Sequence, residues 1–164
     1  MRLADNSTSR WDLWAKGRDC PFDQPRPVSN EYWDLVAPLS ISSLYLAKNQ
    51  TYYGQCLLIF DAWHAIRPEQ LPLKEWRTFS DDLFAAQNII SRTVMPDHIN
   101  LATLGNVIPH LHWHITPRYK SDPRWGAPIW TSNLDDMKDV RLPDEGRLAL
   151  LNRLKSGFSE RSPL

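Results

Sequence analysis

The chain reads as an α+β domain with helices packed against an antiparallel sheet, and three observations predict this class. Short apolar runs occur in two pairs, each joined by turn-forming residues, at 43–60 and at 98–116. A long amphipathic stripe separates the pairs, and in the second pair histidines alternate with bulky apolar residues. The resulting order is hairpin, helix, hairpin.

Along the chain, residues 1–28 contain the proline-studded "CPFDQPRPV" and are expected to be irregular and to wrap the surface. Ser29 is placed to cap a short helix through "NEYWDLVA", with Glu31 in its first turn where a negative charge favours the helix dipole. The runs "SLYLA" at 43–47 and "CLLIF" at 56–60 flank "KNQTYYGQ", a turn composition, and form the first hairpin. Between Pro72 and Val94 the apolar residues Leu73, Trp76, Phe79, Leu83, Ala86, Ile90 and Val94 recur at helical steps, with Pro72 opening the helix and Pro96 closing it. "HINLATL" at 98–104 reads as a strand, Gly105 and Asn106 as its turn, and 108–116 as the returning strand. A loop, "KSDPRWGAPIWTSN", leads to a last helix around "EGRLALLNRLKSGF", whose apolar side is Leu148, Leu151, Leu154 and Phe158.

A chain of 164 residues suits one domain over 1–164, with 120–164 as a C-terminal extension. Nineteen basic residues balance nineteen acidic ones with no basic run, which gives no footprint for nucleic acid. No apolar run approaches the roughly 20 residues of a membrane span, and the start lacks a secretory pattern, so a cytoplasmic protein is expected. The two cysteines, Cys20 and Cys56, are then expected as free thiols. Most of the eight tryptophans read as anchors that pin core and loops.

The chemistry concentrates in "GNVIPHLHWHITPRY" at 105–119, which carries His110, His112 and His114 at every second position. Side chains of a strand alternate between faces, so the three imidazoles share one face while Leu111, Trp113 and Ile115 fill the other. Three readings compete. The histidines could line a wet sheet face, or ligate a metal with an open position. In the third reading a neutral imidazole attacks phosphorus, forming a phosphoramidate that water then releases. Three rings on one strand converge poorly on a tetrahedral centre, whereas His112 has a possible donor on each side and crowding disfavours protonating all three. By parity Arg118 lies on the same face and is a candidate to hold a phosphate oxygen.

"HLHWHIT" resembles the His-x-His-x-His signature of the histidine-triad family of nucleotide hydrolases and transferases. The resemblance spans about 40–130, through "YYGQCLLIF", the long helix, "INLATLGNVIPHLHWH" and "DPRWGAPIW". It implies a five-stranded antiparallel sheet with helices against it, a possible homodimer, a nucleotide substrate cleaved at its α-phosphate, and a nucleotidyl-histidine intermediate without a cofactor. It implies His112 as nucleophile, flanked by His110 and His114, with Asn49 near the ribose and Asn100 and Asn106 near phosphate. Two departures stand out: Gln55, where the family often has a histidine, and Val107, where it often has Ser or Thr. They leave a non-catalytic nucleotide-binding module as the alternative, with a histidine-ligated metal hydrolase behind it. His64 could reach the site from the end of the first hairpin, although a surface or capping role is expected, and His98 is expected to do nothing chemical. Trp125 and Trp130 would either stack on a base or pin the tail. Cys20 in "CPFD" resembles half of the zinc-binding Cys-x-x-Cys of some relatives, but Asp23 replaces the second Cys, so no metal is expected.

Overall fold

The structure, a computed structural model, describes residues 6–122, 124–129 and 139–159. Its elements are α1 (Asn6–Ala15), β1 (Trp33–Pro38), β2 (Ser42–Ala47), β3 (Cys56–Phe60), α2 (Leu73–Val94), β4 (His98–Ala102), β5 (His112–Arg118) and α3 (Asp144–Ser159), with a short 3-10 turn at Pro68–Gln70. The strands form one five-stranded sheet in the order β1-β2-β3-β5-β4, and every pairing is antiparallel. Both hairpins and the long helix stand where the apolar patterns put them.

Strand alternation divides the side chains between two faces. Leu44, Leu46, Leu58, Phe60 and Ile115 point to the face covered by α2 and α3 and form the main core with Phe79, Ala86, Ile90, Leu150 and Leu154. Tyr45 and Ile59 point the opposite way and, with Cys20 and Phe22, make a second, smaller cluster. On α2 the buried stripe also includes Asp82, whose carboxylate accepts from the Ser40 and Ile41 amides and the Ser42 hydroxyl at 2.7–3.1 Å. One buried acid therefore holds the β1–β2 turn to the helix. The first residue of the expected stripe, Leu73, is exposed.

Four expectations change. Residues 33–38 form β1 and not a helix. Asn30 Oδ1 accepts from the Tyr32 and Trp33 amides, turning the chain, and Leu35 then pairs with Tyr45 of β2. That pairing gives β2 a neighbour on its outer side, a benefit no local propensity encodes. The N-terminal 28 residues are not wholly irregular, since α1 lies within them. In α3 Leu151, Leu154 and Phe158 face the core as expected, but Leu150 joins them and Leu148 is exposed. Next to Leu148, Arg147 pairs with buried Asp34 of β1. Finally, β5 starts at His112 and runs through Pro117 to Arg118, so it is later than expected and His110 precedes it. Pairing of β5 with β3 ends at Ile115, so the N–H that Pro117 lacks falls beyond that ladder.

Candidate active site

Register places the triad. His112 pairs with Ile59 and His114 with Leu57 of β3, while His114 also faces Ala102 and Thr116 faces Asn100 of β4. The three histidines do share a face, but that face is not open to water. His110 is 1% exposed and His112 is 6% exposed, because residues before β1 cross over them. Phe22 presents its ring edge-on to His110 and His112, with centroids 5.6 and 5.4 Å away. Trp11 of α1 donates to the Gly105 carbonyl at 3.1 Å and ties the N-terminal segment to the loop before the triad. The covering of the imidazoles has a plain cause: Phe22 and Cys20 bury their own apolar surface there.

Two hydrogen bonds set the tautomers. His110 Nε2 lies 2.7 Å from the Phe60 carbonyl and donates to it, which leaves Nδ1 as the acceptor in the neutral ring. His112 Nδ1 lies 2.6 Å from the His110 carbonyl and donates in turn, so its Nε2 carries the lone pair. That Nε2 stands 3.2 Å from Nε2 of His114, with the ring centroids 4.9 Å apart. Burial pushes the His112 pKa below the usual imidazole value despite its bond to the His110 carbonyl. Burial, reinforced by His112, lowers that of His114 to about 4. The arrangement offers a neutral, oriented ring nitrogen next to a second ring able to share a proton.

The remaining candidates divide. Asn100 is on the triad face, its Oδ1 accepting from Arg118 Nη1 at 2.6 Å, which turns its amide nitrogen outward from that bond. Arg118 shares the face by parity, yet it is 3% exposed and is held by Asp122, Asn100 and the Ala127 and Arg124 carbonyls. Its donors organise the loop after β5, which removes it as a free phosphate ligand. Asn49 is exposed, with Oδ1 accepting from the Thr51 amide and hydroxyl, a turn arrangement. Gln55 is half-buried just before β3, Asn106 is exposed, and Val107 is 81% exposed. His98 is exposed opposite Arg118. Trp125 is partly exposed beside Asn100, Leu101 and Arg118 in a groove of about 820 Å³. Trp130 lies outside the described residues.

Sequence reasoning underrated a second constellation. His64, Cys20 and Asp23 gather around His110, and their ligand atoms all lie within 4.8 Å of one another. Asp23 reaches His64 Nδ1 at 2.7 Å and His110 Nδ1 at 3.3 Å, while Cys20 Sγ is 3.7 Å from His110 Nδ1. The signals were present in "CPFD" and in the histidine after β3, but nothing local says that residues 20, 64 and 110 meet.

Solved structures share this fold. A histidine triad protein from Bradyrhizobium japonicum superposes with a TM-score of 0.71 over 82% of this chain and 96% of its own, at 20% identity. The chain has the histidine-triad fold. A histidine triad protein from Marinobacter aquaeolei matches with a TM-score of 0.68 at 20% identity, covering 79% of this chain and 91% of that one. Diadenosine triphosphate hydrolase from Plasmodium falciparum is similar over 93% of this chain and 98% of its own, with a TM-score of 0.54 at 14% identity. No family model and no curated protein matches the sequence itself. No described helix is long and apolar enough to cross a membrane.

Proposed function

We propose that the chain hydrolyses, or transfers, a nucleotide at its α-phosphate through a covalent nucleotidyl intermediate on His112. One observation carries the reading: the His112 Nδ1–H is committed to the His110 carbonyl at 2.6 Å, which leaves Nε2 unprotonated and aimed along the strand. Nε2 attacks phosphorus and the bond to the leaving group breaks, its proton supplied through His114. Water then attacks the same phosphorus, the P–N bond breaks, and the imidazole is regenerated. Asn100, on the adjacent strand, is the polar group set to meet a phosphate oxygen, and the apolar cover over His112 lowers the local dielectric for the charge that develops. Asn49, Gln55 and Asn106 form the polar rim in this proposal, and a homodimer is part of it, testable by sedimentation.

A metal of zinc type, as the fold family implies, fits the residues around His110. Both ring nitrogens of His64 are buried, with the Asp23 carboxylate 2.7 Å from Nδ1 and the Cys20 thiol in the same cluster. Cys20, Asp23, His64 and His110 would hold the ion, and what it supplies there is a cross-link between chain segments. No reacting atom touches it in this scheme.

The test is turnover of diadenosine polyphosphates and adenosine phosphoramidates by wild type and His112→Ala. The expected loss is about three orders of magnitude or more, as for other covalent nucleophiles. Equal rates exclude the covalent mechanism. Binding of adenosine monophosphate without turnover by the wild type would favour a nucleotide-binding module, a reading to which exposed Val107 gives some support.

A further inference from the structure

Arg118 is the buried hub of the loop that follows β5. Its Nε donates to the Asp122 carboxylate at 2.6 Å, Nη1 to Asn100 Oδ1 at 2.6 Å and to the Ala127 carbonyl at 3.0 Å, and Nη2 to the Arg124 carbonyl at 2.6 Å. Its guanidinium carbon stands 5.4 Å from the centre of the Tyr52 ring. Three of the four acceptors belong to the loop. The fourth, Asn100, lies on β4, on the face that carries the triad. An arginine has donors only, so the end of the amide that faces it must be the oxygen. The two N–H groups of Asn100 are thereby sent the other way, and among the described residues no acceptor is bonded to them. Thr116, the strand partner of Asn100, does not divert them, because its buried hydroxyl makes no hydrogen bond. Asn100 is half-buried and borders the groove beside Trp125, which leaves these donors open to a ligand. It stands two residues, about 7 Å, along β4 from Ala102, which faces His114.

We propose that Arg118 is a positioning residue for the reaction proposed above: it locks the Asn100 amide with its oxygen toward the guanidinium and its N–H donors toward the phosphate held at His112. Asp122 completes the relay. One of its carboxylate oxygens fixes the guanidinium, while the other accepts from the Arg124 amide at 2.7 Å. Guanidinium and carboxylate neutralise each other, so their effect reaches the substrate through the orientation of Asn100 and not as a free positive charge. What is locked sets the size of the effect. Three staggered χ1 wells and two amide flips give roughly six states, of which one presents the donors, so losing the lock costs about 3–6-fold in apparent affinity for the phosphate. The donor itself, a hydrogen bond to a charged group, is worth about 10–100-fold.

The assignment rests on Asn100 meeting phosphate, as proposed above, but its test needs no turnover. Calorimetry on the full-length protein compares adenosine monophosphate with adenosine, whose affinity ratio isolates the phosphate contact. Arg118→Lys keeps a cation beside Asp122 but lacks the planar fork that reaches Asn100 at the same time. The wild type is expected to prefer the monophosphate, and Asn100→Ala to cut that ratio by about 10–100-fold. Arg118→Lys cuts it by about 3–6-fold with adenosine binding unchanged, and adds nothing in the Asn100→Ala background. Asn100→Asp keeps the bond to Arg118 and abolishes the preference, because a carboxylate has no donor for phosphate. In the wild type alone, NMR relaxation shows a rigid Asn100 side-chain amide, whose resonances shift with adenosine monophosphate and not with adenosine. No preference for the monophosphate, an unchanged ratio in Arg118→Lys, equal losses in both backgrounds, a parallel fall in adenosine binding, or a mobile amide overturns the proposal. A protein that passes but shows no turnover keeps this assignment and loses the covalent mechanism; an active hydrolase with equal losses in both backgrounds does the reverse.

Discussion

At the scale of single residues, burial decides the chemistry. His114 sits where lost solvent, and then the neighbouring imidazole, lower its pKa to about 4, against about 6.5 for an exposed ring. Since the folded value is depressed, the unfolded chain binds the extra proton first as pH falls. The His114 contribution is therefore retained above pH 6.5, drops between 6.5 and 4, and levels off below 4. The loss is about 3 kcal/mol at most, and urea unfolding across that range should show His114→Gln flattening the slope. Arg118 tests the opposite kind of residue. If its guanidinium serves the loop after β5, Arg118→Met strands the buried Asp122 carboxylate and costs about 3–5 kcal/mol in unfolding measurements. An unchanged Tm with a raised KM would instead return Arg118 to a phosphate role.

Elements show where local pattern suffices and where it fails. The β2–β3 hairpin and α2 were legible because an apolar period of two or of three to four residues runs unbroken through each. The stretch 29–37 misled because Ser29, Asn30 and Glu31 supply helix-opening chemistry, while the decisive facts are remote: the open edge of β2, and Arg147 waiting for Asp34 from 113 residues away. Register of the histidines was legible too, and their burial was not, since Phe22 covers them from a segment with no periodicity at all. Close packing between elements gives a sharp test at Gly54. Its φ is +86°, and an added Cβ would stand 2.9 Å from Val94 Cγ1 of α2. Gly54→Ala should cost about 2–4 kcal/mol, the sum of left-handed backbone strain and overpacking. A thermal melt unchanged by the substitution would show that the end of α2 moves freely relative to the first hairpin.

For the whole molecule, one sheet serves two purposes. Its helix-covered face carries the apolar core that fixes the strands, and its other face carries the imidazoles under a strap of N-terminal chain. Apolar patterning carried the fold class, and the triad motif carried the chemistry proposed above, but the meeting of residues 20, 64 and 110 belongs to tertiary structure alone. What the account needs most is a bond from His112 Nε2 to phosphorus. The direct measurement is intact-protein and peptide mass after rapid acid-free quenching of a single turnover with a diadenosine polyphosphate. The account predicts an added nucleoside monophosphate on the peptide that contains His112, absent from His112→Ala. Full turnover by the wild type with no adduct at any time, or an adduct that persists in His112→Ala, would contradict it.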